Sequence, residues 1–273
     1  MTPSLSPVRS RSGRLALALC AALSVSGCGF PPEEGGGQGP GHRQQPLALS
    51  PRQELELGRD AYREVLTHPQ KYGRALPADS PEVERVRRVM RRLVAASRIE
   101  PLQREINLRV QGYRFEWEVN VLRNRQINAF CLPGGKMVVF TGILPVAAND
   151  DQLATVLSHE MAHALAHHSS ERVARDQNGQ ASFLMSKKYD RMQESEADHI
   201  GLFLMTFAGY DPDEAVRFWR RMAEVSQGGQ LPEIFSDHPS DARRIQDMRR
   251  WVPQAKAALE AYKEGRIAPA PGR

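Results

Sequence analysis

The most specific chemical signal in the chain is the run Ser158-His159-Glu160-Met161-Ala162-His163, an HExxH motif. Residues four apart share one helix face at about 6 Å separation, so His159 and His163 can aim two imidazoles at one ion. Glu160 lies about 100° further round the helix, where its carboxylate can hold a water beside that ion without ligating it. Two neutral imidazoles and an adjacent base are what a hydrolytic zinc site requires.

HExxH also occurs by chance, so its surroundings matter. Leu153, Val156, Leu157, Met161, Ala164 and Leu165 make the run apolar on more than one side, which predicts a buried helix from Asp151 to His168. Polar groups buried there need partners. Asn149 is a suitable N-cap, with Asp150 and Asp151 in the first turn and Gln152 three residues on.

A catalytic zinc takes three protein ligands and keeps one position open. The third candidate lies in Gln193-Glu194-Ser195-Glu196-Ala197-Asp198-His199-Ile200-Gly201. On a helix, Glu194, Ala197, Asp198 and Gly201 share a face. Glu194 and Asp198 can look into the site, while Ala197 and Gly201 allow close packing on the first helix. Glu196 is expected to face solvent. The competing interpretation is a solvated acidic cluster; the apolar Ile200, Leu202, Phe203, Leu204 and Met205 favour a packed helix.

HExxH followed by E-x-E-A-D-x-x-G resembles metallopeptidase family forty-eight, which includes prenyl-protein-processing, mitochondrial Oma-type and beta-barrel-assembly-enhancing proteases. The resemblance runs from about Glu54 to about Arg250. It takes in Glu54-x-Glu56-x-Gly58-Arg59, Asn128-Ala129-Phe130-Cys131-Leu132-Pro133-Gly134-Gly135, Thr141-Gly142 and His238-Pro239-x-x-x-x-Arg244-Ile245. It implies a mainly helical α+β zincin domain with a small sheet beside the HExxH helix. It also implies one zinc per chain on His159, His163 and Glu194, with Glu160 as general base. Asp198 matches a proton donor or transition-state helper, and His238 and Arg244 match late residues that approach the cleft.

These residues need a scaffold. A helix is expected from Arg52 to Leu66, with Leu55, Leu57, Ala61, Tyr62 and Val65 inward, and a second from Ser80 to Ala96 with Pro81 at its first position. Alternation predicts strands at Ile106–Val110 and Phe115–Val121, then strand, turn and strand over Ile127–Leu132, Pro133-Gly134-Gly135 and Met137–Phe140. A sheet edge there could pair with an extended substrate, with Asn128, Gly134 and Gly135 near it; a purely structural hairpin reads the same. His167 suits a supporting or packing role, and His168 and His199 surface or packing roles. Further helices are expected from the Asp211-Pro212 turn to Val225 and from about Ser240 to Trp251.

The chain has 273 residues, 41% hydrophobic, with a formal net charge of +5. Arg9, Arg11 and Arg14 supply three of those charges, leaving too little for nucleic-acid binding. These arginines precede the apolar run from Leu15 to Leu23 and then Val25-Ser26-Gly27-Cys28, which resembles a bacterial lipobox. The expected organisation is a signal peptide over 1–27, a lipidated Cys28 with a Pro/Gly linker over 28–50, the peptidase domain over 51–252 and a tail over 253–273. That predicts a periplasmic protein anchored by lipid, with the outer membrane preferred. With Cys20 and Cys28 so assigned, Cys131 stands alone and no disulfide forms.

The function so predicted is a zinc endopeptidase for misfolded or unassembled envelope proteins. The alternative is a non-catalytic, chaperone-like lipoprotein that uses the same cleft for binding.

Overall fold

The computed structural model describes residues 43–175, 190–227 and 242–266. Cys28, His42 and His238 therefore lie outside the described residues. The architecture is mainly helical with one small sheet. The helices are α1 (Pro51–Thr67), α2 (Pro69–Tyr72), α3 (Pro81–Ser97) and α4 (Glu100–Glu105), then α5 (Asp150–Leu165), α6 (His168–Arg175), α7 (Arg191–Phe207), α8 (Asp213–Gln227) and α9 (Ala242–Lys263). The strands are β1 (Glu118–Leu122), β2 (Ala129–Leu132) and β3 (Lys136–Phe140).

The fold is built around α5, buried from Gln152 to Leu165 and flanked by α3, α7, α8 and β2. Its start is fixed by Asn149, whose side chain accepts from the Gln152 amide at 2.8 Å. Arg85 donates to the Ala147 and Asn149 carbonyls at 2.7 Å and pairs with Asp150. One arginine thus holds both the entering loop and the first turn.

The helix does not continue to His168 as its apolar pattern suggests. It stops at Leu165, because His167 adopts a left-handed backbone with φ of 55°. That conformation costs a non-glycine residue roughly 1–2 kcal/mol. His167 is held there by Glu54 at 2.9 Å, the Arg109 carbonyl at 2.7 Å and the Tyr113 ring at 3.7 Å between centroids. The chain then restarts as α6 at a new angle.

The sheet has order β1-β3-β2, with β1 parallel and β2 antiparallel to β3. Strand β2 is an edge. The Phe140 amide donates to the Asn128 carbonyl at 3.1 Å, which fixes the phase of the ladder. Pairing alternates along an antiparallel strand, so Phe130 and Leu132 bond to β3 while the main-chain groups of Ala129 and Cys131 point to the outer edge, which no other strand of the described residues joins.

The strand expected at Ile106–Val110 does not form. Pro101 opens the short α4, Ile106 packs at its end, and Asn107 turns the chain with φ of 49°. The outer edge of β1 is already taken by the 74–76 segment, through Leu76 to Val121 and Arg123 to Arg74. Alternation in 106–110 reflects packing on the core without a ladder.

Two boundaries also move. Helix α9 passes through Pro253 and carries Ala255 and Ala258 into the core, so the domain extends past the expected end at 252. A mid-helix proline costs about 3 kcal/mol; burial of Val252, Ala255 and Ala258 offsets it. At the other end, residues from Arg43 onward are not a free linker. They lie along α6, with the Ala48 amide on the Ser170 carbonyl and Leu49 on the Ser170 hydroxyl. No helix of the described residues is long and apolar enough to cross a membrane.

Candidate active site

Helices α5 and α7 form the most extensive helix pair in the structure. Gly201 is the reason they come so close: a Cβ there would stand 3.0 Å from the His159 amide nitrogen. The approach carries Glu194, two turns earlier on α7, to the HExxH face of α5. The expected ligands converge. His159 Nε2 lies 3.2 Å from His163 Nε2 and 3.4 Å from Glu194 Oε2, and His163 Nε2 lies 3.5 Å from Glu194 Oε1. Ligands about 2.0–2.1 Å from a tetrahedral zinc stand about 3.3 Å apart, so this triangle has the size of one face of such a site. All three residues are buried.

The electrostatics agree with the geometry. Burial and Arg244 both work against a protonated His159, yet hydrogen bonds to Asp198 and Glu194 lift it to about 9. The acids therefore favour a positive charge at this point, and a divalent cation satisfies the same demand.

Glu160 is also buried, on the β2 side of α5. Burial first, and the Glu160 charge second, push the Cys131 thiol well above its ordinary range. Glu160 therefore lies within electrostatic reach of the Cys131 side chain on β2. Cys131 is a buried thiol with its Sγ 3.6 Å from the Leu132 carbonyl, as a small apolar residue would be placed.

Asp198 sits behind His159, while Arg244 Nη2 reaches across to the ligand face, 3.2 Å from His159 Nδ1, 3.3 Å from His159 Nε2 and 3.5 Å from Glu194 Oε2. Asp198 Oδ1 is 2.9 Å from His159 Nδ1. The Arg244 Nη2 and Nε atoms reach the two Asp198 oxygens at 2.6 Å each. The Arg244 guanidinium lies 3.4 Å from the Trp219 ring centroid. Asp198 is thus occupied on the far side of the imidazole, and Arg244 is a full member of the site.

The other histidine has a support that the sequence did not reveal. His168, expected at the surface or in packing, is buried with its Nδ1 2.8 Å from His163 Nδ1. Burial lowers its pKa against the pull of Glu196. Glu196, expected to face solvent, is 9% exposed, and its Oε2 is 3.1 Å from His168 Nε2. The helical wheel does place Glu196 away from Glu194, but α6 and the 43–50 segment cover that side. His199 packs half-buried against Phe203 and Trp251.

Asn128 is buried, its Oδ1 accepting from the Ala129 amide at 2.9 Å. Gly134 and Gly135 have φ of 72° and 93°, and a Cβ on either would come within 2.7 Å of Leu55 or Trp117. They are packed beneath α1 and Trp117. With the Ala129 amide already used by Asn128, the unpaired main-chain groups of this edge, among the described residues, are the Ala129 carbonyl and those of Cys131.

Comparison with known proteins decides the family. The pattern of peptidase family M48 matches residues 84–186 and 176–252. The chain belongs to that family. It is similar to the mitochondrial metalloendopeptidase OMA1 of Schizosaccharomyces pombe, 38% identical over 229 residues, covering 76% of this chain and 63% of that protein. The Saccharomyces cerevisiae OMA1 is 32% identical over 233 residues, 76% of this chain and 66% of the relative. A beta-barrel assembly-enhancing protease of Yersinia pestis is 24% identical over 189 residues, 58% of this chain and 39% of the relative. The chain therefore spans somewhat less than two thirds of the OMA1 relatives. Membership of M48 implies a metal, and the His159–His163–Glu194 cluster fits one.

These relatives overturn one expectation. A lipid-anchored protein of the bacterial periplasm is not what they support, since the two OMA1 relatives are named as mitochondrial. The lipobox-like sequence misled because a short apolar run ending in small residues and cysteine is a compositional signal, independent of the catalytic domain. Cell-envelope substrates lose their ground with the compartment.

Proposed function

We propose that this M48 protein is a zinc-dependent endopeptidase that hydrolyses peptide bonds in misfolded or unassembled proteins. The observation that carries the proposal is the buried triangle of His159 Nε2, His163 Nε2 and the Glu194 carboxylate, with Glu160 buried beside it on the same helix.

A zinc ion held by His159, His163 and Glu194 would supply Lewis acidity and lower the pKa of a bound water toward about 7. Glu160 then takes the proton of the attacking water and returns it to the leaving amine. The Ala129 carbonyl and the main-chain groups of Cys131 pair with an extended substrate and lay its backbone across the site. Such pairing reads little sequence and requires an extended chain, which folded proteins rarely offer. This favours unfolded or unassembled substrates, and a relative named for enhancing beta-barrel assembly supports the same class. Asp198 and Arg244 act as positioning residues: they fix the His159 ring so that Nε2 faces the metal.

The test is digestion of casein by purified protein of measured metal content. Glu160→Gln should keep its metal and lose about 10²–10⁴-fold in rate. A zinc-loaded Glu160→Gln protein that cleaves at the wild-type rate, or wild-type cleavage untouched by a chelator, overturns the proposal. Substrate binding without cleavage by the wild type would instead favour the chaperone alternative.

A further inference from the structure

Arg43 comes from the segment before α1, far in sequence from the candidate ligands, yet it ends 13% exposed among buried acids. Its Nε and Nη2 atoms each reach a Glu196 oxygen at 2.5 Å. Its Nη2 also donates to Glu171 Oε2 at 2.7 Å, and Nη1 pairs with Glu171 Oε1. Gln45 holds the same segment down, donating to the Ala166 carbonyl at 2.6 Å and to Glu171 at 3.2 Å. Gln193 of α7 donates to Glu171 at 2.8 Å.

This cluster stands directly behind His163. Two imidazole Nδ1 atoms 2.8 Å apart, those of His163 and His168, share one proton between them. If His168 donated, His163 would carry its proton on Nε2, the atom that faces Glu194 and His159, and could not ligate. His168 would then present a bare Nε2 to Glu196, lone pair against lone pair. If His163 donates, its Nε2 is free for a metal, and His168 Nε2–H donates to Glu196 Oε2 at 3.1 Å. An acceptor-only Glu196 selects this second arrangement. Arg43 keeps Glu196 in place, because its bidentate grip fixes the carboxylate plane. It also shares with Arg175, paired to Glu171 at 2.5 Å, the balancing of two acids, Glu171 and Glu196, that stand together under cover.

We propose that Arg43 is a positioning residue for the metal site, acting through Glu196 and His168 to set the tautomer and ring orientation of His163. The segment over 43–45 is thereby part of the metal centre, although it touches neither metal nor substrate. The same logic operates on the other ligand, where Asp198 holds His159 directly. Here it is relayed through one more imidazole.

The proposal rests on His159, His163 and Glu194 binding a divalent metal, and its test separates the two. Zinc affinity of the full chain is measured by competition with a chromophoric chelator, alongside thermal unfolding of the metal-free protein. Arg43→Met should weaken zinc binding about 10–100-fold, the usual effect of losing an outer partner of a ligand, and Arg43→Lys should recover part of it. His168→Phe should weaken binding similarly, and the Arg43→Met/His168→Phe double variant by no more than His168→Phe alone. Should Arg43→Met fail to fold, Glu196→Gln, which preserves volume, carries the same measurement. Wild-type zinc affinity in Arg43→Met or Glu196→Gln, whatever happens to the unfolding temperature, overturns the proposal and leaves the metal site standing. A wild-type protein that binds no zinc overturns the metal site itself.

Discussion

The two histidines of α5 are one turn apart, yet they are braced in different ways. His159 is held directly by Asp198, itself gripped by Arg244 against Trp219. All of these partners belong to α7, α8 and α9. His163 is held through a second imidazole, His168, then by Glu196 and Arg43. That chain draws on α6, α7 and the segment before α1. The first brace is short and fully covered. The second is longer and reaches a partly exposed arginine. A direct carboxylate gives strong local control; a relay lets a distant part of the chain take part in the same site.

The comparison predicts unequal sensitivity. Asp198→Asn should do the most damage. It replaces the charged acceptor of His159 Nδ1 with a neutral amide that also turns an N–H donor toward Arg244, leaving that buried guanidinium without its counter-charge, so metal affinity should fall about 10–100-fold and stability by up to about 3–5 kcal/mol. Isothermal titration with zinc and chemical denaturation read both. Arg43→Met should sit at the lower end of that same range of about 10–100-fold, since its guanidinium retains some solvent and acts through two further side chains; equal losses on the two sides would erase the distinction.

Gly201→Ala probes what the braces share. Its Cβ would press on the His159 backbone at 3.0–3.1 Å and part α5 from α7 by a few tenths of an ångström. A loss of roughly 1–3 kcal/mol is expected, with weaker zinc binding because Glu194 retreats from both histidines. Unchanged affinity would show that Glu194 tolerates the shift.

The smallest effect is one of pH and concerns only the second brace. Burial opposes the Glu171 charge, but Arg43, Gln193 and Gln45 hold its pKa near 2, against an ordinary value of 4.5. A depressed carboxylate contributes stability that is complete above the unfolded pKa and lost as pH falls through the folded one. The stability difference between wild type and Glu171→Gln should therefore be constant above about pH 5 and shrink as pH falls from 4.5 toward 2. Denaturation midpoints across that window measure it. A difference that does not change would separate Glu171 from the brace.

Much of the fold was legible because hydrophobic periodicity reports burial along one element. The helices around Val65, Val86 and Leu157, the paired strands at Cys131 and Val139, and the cap at Asn149 all follow from local chemistry. What misled was local regularity without a partner. Ile106, Leu108 and Val110 alternate as a strand does, but the adjacent sheet edge was already filled. Pro253 signals a stop, but core packing of Ala255 and Ala258 carries the helix through.

From sequence alone, helical spacing put His159 and His163 on one ion with Glu160 as the neighbouring base, and set Glu194 and Asp198 on one face with Gly201. Spacing suffices there because an α-helix fixes which side chains share a face. The resemblance to the family singled out Glu194 as the third ligand. Only the tertiary structure decided what stands behind those donors. A left-handed turn at His167 swings His168 onto His163, and chain packing brings Arg43 to Glu196, contacts across 153 positions that no local periodicity can encode.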